Sequence, residues 1–162
     1  MQEAALLLVA SSQNILWGVY QDTCLIKQGK EEQKTLDALI CIWQNLSAKY
    51  KISEIYYARG PGSLSALKLL HIFVHTLRIL RPIRLFATDH FAFNQNSPIH
   101  AFGNQYFYKE QSEVVLRSAK EHVAKDFCLP ERICVRDFSQ ECTPLYIVPP
   151  IQQNPALQVL KA

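Results

Sequence analysis

No stretch of this 162-residue chain approaches the roughly 18 consecutive apolar residues that a membrane-crossing helix needs, so the sequence predicts a soluble protein. Cysteines are few and show no pairing pattern: Cys24, Cys41, Cys128, Cys134 and Cys142 are odd in number and include no C-x-x-C spacing. That excludes the signature of a secreted disulfide framework and points to free thiols in a reducing cytosol, hence a cytoplasmic protein. Charge is sparse as well. Only 19% of residues are charged, the formal net charge is +3, and the basic residues are scattered, which is not the footprint of a nucleic-acid-binding domain. The apolar run in "MQEAALLLVASSQ" is short and preceded by Glu3 rather than by Lys or Arg, so it is expected to be a buried first strand and not a secretory leader. Internal repeats, low-complexity tracts and long linkers are absent, which leaves one ordinary domain or two small ones sharing a core.

The segments that are present alternate in period. Ala5 to Ala10 and Asn14 to Tyr20 read as strands joined by a turn at Ser11-Ser12-Gln13, and "TCLIKQG" completes a meander. Lys34 to Tyr50 takes the helical period, with Leu36, Leu39, Ile40, Trp43 and Leu46 on one face. "ISEIYYA" returns to strand, a helix runs from Ser63 to about Leu80, Pro82 ends it, and "IRLFAT" is another strand. This order predicts an α/β layer with a mixed sheet, of the kind seen in ribonuclease H-like and actin-like folds. After residue 90 a reduced second subdomain (91–162, against 1–90 for the first) is expected. It would hold a hairpin around Gly103-Asn104 and a short helix within Glu113 to Phe127, and be broken up by Pro130, Pro144, Pro149, Pro150 and Pro155.

The chemically suggestive stretch is Arg59-Gly60-Pro61-Gly62-Ser63, set between strand and helix. Glycines in such a turn and free N–H groups at a helix start can cradle a phosphate, but the loop matches neither G-x-x-x-x-G-K-[ST] nor G-x-G-x-x-G, and a joint opening on a Ser63 N-cap explains it equally. Positive φ at Gly62 would make Gly62→Val costly. In the helix that follows, 100° spacing puts Ala66, Leu69, Leu70, Phe73, Leu77 and Leu80 toward the sheet. The opposite face, with Leu67, Lys68, His71, Val74, His75 and Arg78 flanked by Ile72 and Ile79, has no evident cover within the chain and is expected to meet a partner. His71 and His75 have the i, i+4 spacing of metal ligands, yet Lys68 and Arg78 cannot supply a third, so no metal site is expected. His90 has no identifiable Ser or Cys nucleophile beside it in sequence.

Arg59-Gly60-Pro61-Gly62-Ser63-Leu64-Ser65 resembles the R-G-P-G-S-[FL]-T motif of the bacterial TsaB (YeaZ) family, in the same position between strand and second helix. The hairpin "AFGNQYFYK" looks like that family's strand opening its second half, and Pro144 and Tyr146 look like its closing P-x-Y-x-R, with Val148 in place of arginine. Ala10-Ser11 stands where the family has Asp-Thr, Lys34-Thr35 where it has His-Thr, and Leu70, Ile72 and Thr76 where small residues are usual. The resemblance implies an actin-like fold and a noncatalytic subunit without cofactor. Such a subunit pairs, through its two N-terminal helices, with the catalytic TsaD-type subunit in tRNA threonylcarbamoyladenosine synthesis. A TsaE-type ATPase would join the complex, a homodimer could form through the same helices, and tRNA would be met only indirectly. A degenerate actin-like nucleotide-binding protein and an unrelated interaction domain stay open as alternatives.

Overall fold

Side-chain alternation in the first strand decides the architecture. In β1 (Gln2–Ala10), Ala4, Leu6, Leu8 and Ala10 join one buried cluster while Leu7 and Val9 join another. A strand apolar on both faces has to lie inside a sheet that is covered twice. In the computed structural model, which describes residues 1–119 and 124–145, β1 is the central strand of five. It pairs antiparallel with β2 (Ile15–Gln21), which pairs antiparallel with β3 (Cys24–Glu31). On its other side it runs parallel to β4 (Tyr50–Ala58), which is parallel to β5 (Arg84–Thr88), so the order is β3-β2-β1-β4-β5.

Parallel neighbours need crossovers, and α1 (Thr35–Ser47) and α2 (Leu64–Leu80) supply them. Both helices pack on the same face, where Ala38, Leu39, Ile42 and Leu46 of α1 and Ala66, Leu70, Val74 and Leu77 of α2 meet Leu6, Leu8, Ile55 and Tyr57. A bulge between Ala4 and Ala5 skips Ser53 in the pairing with β4. It lets Ile52 and Ile55, of opposite parity, enter the same core.

The opposite face receives no helix of more than four residues among the described residues. It is covered by a short 3-10 turn (His90–Phe93) and by an irregular strap. At the β3 edge, Leu25 N–H donates to Glu131 O (2.8 Å) and Ile133 N–H to Thr23 O (2.9 Å). At the β5 edge, Ala87 and Ser139 exchange two N–H···O bonds of 2.8 Å. Between the two edges the strap makes a short 3-10 turn (Val135–Asp137), closed by Asp137 N–H to Cys134 O (3.0 Å) and Phe138 N–H to Val135 O (3.1 Å). Between them Phe138 meets Tyr56 edge-on, with ring centroids 4.9 Å apart, and Tyr20 Oη donates to Pro130 O at 2.6 Å.

A second, three-stranded sheet follows, built from β6 (Ile99–Phe102), β7 (Gln105–Glu110) and β8 (Glu113–Ser118), with the expected hairpin at Gly103-Asn104 between the first two. The helix anticipated within Glu113 to Phe127 is corrected to β8 over its first residues. Gln111 takes a left-handed φ of 58°, turning the chain back beside β7, and Val114 and Leu116 then pack toward Phe91, Ile99 and Phe107. Tyr146, Val148, Pro149, Pro150 and Pro155, together with residues 120–123, lie outside the described residues.

If the strap secures the second face, Phe138→Ala should cost about 3 kcal/mol. The melting temperature would then fall by roughly 6–12 °C, readable by circular dichroism.

Candidate partner interface

Local bonds identify the Arg59–Ser63 stretch as a joint. Arg59 N–H donates to Thr88 O (2.9 Å), Leu145 N–H to Arg59 O (2.7 Å) and His90 N–H to Gly60 O (2.8 Å), so the turn is held by β5 and by the strap. The Arg59 guanidinium donates to Thr143 O at 3.2 Å rather than standing over the helix start. Ser63 is the N-cap of α2, its Oγ accepting from Ala66 N–H at 3.4 Å. The glycine with positive φ is Gly60, at 128°, and not Gly62, whose position has open space around it. The expectation for Gly62 is therefore corrected: a side chain at 60 would meet Leu145 O at 2.6 Å, whereas one at 62 meets nothing within 4 Å.

Helix α2 is rolled relative to its predicted orientation. Leu67 and Val74, assigned to the outward face, are core residues with 3% and 0% exposure, while Leu80, assigned to the sheet, is 71% exposed. Charges at 67 and 74 would break the fold, not probe a contact. Lys68 and Arg78 are exposed as expected, and His71 and His75 are half-buried. The outward ridge instead runs Leu64, Lys68, Ile72, His75 and Ile79, in which the three apolar members are 51%, 57% and 83% exposed. Helix α1 is displaced similarly: it buries Ala38 and Ile42 and leaves Leu36 and Ile40 at 44% and 40%. Ala38 and Ala66 are both on the buried faces, and in α2 the buried face is offset from the one that carries Leu69 and Leu80. The sequence signal available for this was the surplus of large apolar residues around both helices, more than one sheet face can take.

Beside this ridge the strap returns to the first core. Cys142 O accepts from Tyr57 Oη at 3.0 Å and pairs with His75 Nε2 at 2.8 Å. Burial pushes the Tyr57 phenol well above its ordinary range, so it stays a donor. Burial also raises the Cys142 thiol, the opposite of what an activated nucleophile needs. The His71 and His75 rings are in contact, with centroids 4.2 Å apart. Among the described residues no three potential ligands cluster as a metal site.

At the carboxyl ends of the strands, where open α/β sheets usually leave a ligand crevice, His90 fills the space: it is fully buried and its Nε2 pairs with Ala10 O at 2.7 Å. Ser11 Oγ is committed to its own turn, accepting from Gln13 and Asn14 N–H at 3.3 Å each. No described helix is long and apolar enough to cross a membrane. The Gly62–Ser65 backbone lines a cleft of about 420 Å³ whose other walls are Ala101, Phe102, Phe107 and Leu145.

With this arrangement the chain is defined by fold as a mixed α/β protein with a partly uncovered pair of helices. It is similar in structure to YeaZ from Pseudomonas aeruginosa, with a TM-score of 0.56 and 17% identity, over 83% of this chain and 70% of that one. A second solved structure is that of an uncharacterized protein described as similar to the peptidase YeaZ from Pseudomonas aeruginosa. It has a TM-score of 0.52 and 15% identity, over 74% of this chain and 65% of its own. The fold likeness agrees with the family resemblance carried by the Arg59–Ser65 motif. No protein-family model and no curated protein matches the chain.

Two outcomes follow from this geometry. Gly60→Ala should lose roughly 1–3 kcal/mol from backbone strain while Gly62→Ala leaves the melting temperature unchanged, a contrast that thermal melts would reverse if the joint were misassigned. Burial holds both the His71 and the His90 imidazole below the ordinary histidine range. A base with a depressed folded pKa contributes stability that is present above its unfolded value and lost as pH falls. The melting temperature should therefore drop between about pH 7.5 and pH 5, and less steeply in His90→Gln; equal slopes would exclude His90 as a source.

Proposed function

We propose that this chain is a noncatalytic partner subunit that offers its α1–α2 face to the TsaD-type catalytic subunit of a complex forming threonylcarbamoyladenosine on tRNA. The observation that carries the proposal is the outward apolar surface of both helices, Leu36 and Ile40 on α1 with Leu64, Ile72, Ile79 and Leu80 on α2. So much exposed apolar area on two adjacent helices is costly unless something covers it. The strand order with its two crossovers supports a ribonuclease H-like or actin-like core, and the likeness in fold to YeaZ supports a TsaB-like role.

The noncatalytic part of the proposal draws on three features. Ala10 offers a methyl group where a phosphate-handling member of the fold would need a carboxylate. The crevice at the strand ends is taken by His90. The described histidine hydrogen bonds all go to backbone carbonyls, those of Cys142, Ala10 and Gly103, and not to a hydroxyl or thiol that could serve as nucleophile. These features weigh against the nucleotide-binding alternative. A TsaE-type ATPase as third component, tRNA met only through the partner, a cytoplasmic location and a division of the chain near residue 90 belong to the same proposal.

The test is a pull-down and titration with the TsaD-type subunit, using Ile40→Glu and Ile72→Glu. Both positions are exposed, so the fold should hold within about 0.5 kcal/mol. Each carboxylate buried in an apolar contact should weaken binding at least about tenfold. Binding of wild type with no loss in the variants would move the interface elsewhere, and no binding of wild type would remove the proposal.

A further inference from the structure

The cleft beside the start of α2 is enclosed by parts of the chain that are far apart in sequence. The first turn of α2 supplies Leu64, the second sheet supplies Ala101, Phe102 and Phe107, and the strap supplies Leu145. Leu64 and Phe102 are 51% and 45% exposed, so two large apolar side chains at the cleft stay partly uncovered. At about 30 Å³ per water, a volume of about 420 Å³ would hold roughly 14 waters, and apolar walls give them few partners. The serines of the lining are engaged locally: Ser63 Oγ accepts from Ala66 N–H and meets Ser65 Oγ at 3.3 Å. Among its described residues the cleft offers apolar area and shape, with no charged group to orient a polar ligand.

Leu145 is both a wall of the cleft and the last described residue before 146–162. Its N–H donates to Arg59 O at 2.7 Å, which fixes the strap at the point where the chain reaches the cleft. The sequence that continues from there is Tyr146-Ile147-Val148-Pro149-Pro150-Ile151, apolar throughout, and no charged residue follows before Lys161. Pro149 and Pro150 carry no N–H that an apolar site would leave unpaired. Three extended residues advance about 10 Å, so Tyr146 to Val148 can run along the cleft without a linker.

We infer that the cleft is the seat of residues 146–151 of the same chain, whose apolar side chains fill the space between Leu64, Phe102 and Phe107 and tie the start of α2 to the second sheet. A second copy competes poorly for this seat. A tethered segment acts at an effective concentration on the order of millimolar, which a separate chain at micromolar concentration does not match. A small apolar ligand meets the same competitor. The seat is separate from the proposed partner face, since Ile40 and Ile72 do not line the cleft.

The experiment uses the full chain with a photoreactive p-benzoylphenylalanine in place of Phe102, or in place of Leu64 should the first variant melt early. Both positions are about half exposed, so the fold should hold. Mixing chains of two isotopic compositions lets mass spectrometry separate cross-links within a chain from those between copies. Irradiation at about 10 μM should give cross-links to residues 146–151 of the same chain at least about fivefold more abundant than any between copies. The variant Tyr146→Ser/Ile147→Ser/Val148→Ser should reduce that yield at least about fivefold and speed amide hydrogen exchange over residues 101–107 at least about tenfold. Ile147→Ser alone replaces it should the triple variant fail to fold, with a smaller change in the same direction. Cross-links only between copies would make a second copy the occupant. Cross-links to other parts of the same chain, or none, would leave the cleft without this segment. Yield and exchange unmoved by the serines would show that these apolar side chains do not fill it. Each of these three results overturns the inference.

Discussion

A central strand that is apolar on both faces must be covered on both, and this chain has helices for only one of them. Everything else in the fold answers that constraint. On the helical face, α1 and α2 close over Leu6, Leu8 and Ile55 with Ala38, Leu39 and Ile42 of the first and Ala66, Leu70 and Val74 of the second. On the opposite face an irregular strap must reach from one sheet edge to the other, and it holds its place by backbone bonds to Thr23, Leu25 and Ala87 with Phe138 as the apolar anchor. Pairing these edges also removes part of the unsatisfied backbone that an open sheet would offer to other chains.

The strap then couples the two faces. After Ser139 it passes the β5 edge and brings Cys142 O to Tyr57 and His75, Thr143 O to Arg59, and Leu145 to the Gly60 turn. The stretch that looks like a phosphate loop is thereby used up in holding the chain together: its arginine and the carbonyls of Arg59 and of Gly60, the glycine with positive φ, each have a structural partner. His90 completes the closure by filling the strand-end crevice and bonding Ala10 O. Among the described residues, a sheet closed in this way leaves most of the exposed large apolar side chains on the outward sides of α1 and α2.

Much of this was legible in the residues. The strands, both helices, the Ser63 cap and the Gly103-Asn104 hairpin follow from period and turn chemistry, because these signals are local and each residue reports on neighbours within a few positions. The roll of the helices was not legible. The period of α2 puts Leu69 and Leu80 toward the sheet with Ala66, Leu70, Phe73 and Leu77, yet the buried face is Ala66, Leu67, Leu70, Val74 and Leu77, with Phe73 packed at its margin and Leu80 outside it. A pattern of spacing records how much apolar surface must be covered and not whether the same chain or another covers it. The strand over Glu113–Ser118 was misjudged for a related reason: Val114, Val115 and Leu116 admit either period, and the turn at Gln111 that places them against β7 lies outside the segment itself.

The sequence by itself determined an α/β chain with a turn-and-cap joint at Arg59–Ser63, since these depend on dihedral preferences and side-chain periods that travel with the residues. It also carried the excess of apolar and cationic groups around α2, which no arrangement of the chain could remove. Only the tertiary structure decided which of those groups the chain keeps for itself. Leu67 and Val74 went to the core and Ile72 and Ile79 to the surface because the sheet fixes the height and tilt at which α2 can sit. It also decided which glycine bears the positive φ, Gly60 and not Gly62, because that dihedral is set by the bonds from His90 and Leu145, residues about 30 and 85 positions away in the chain.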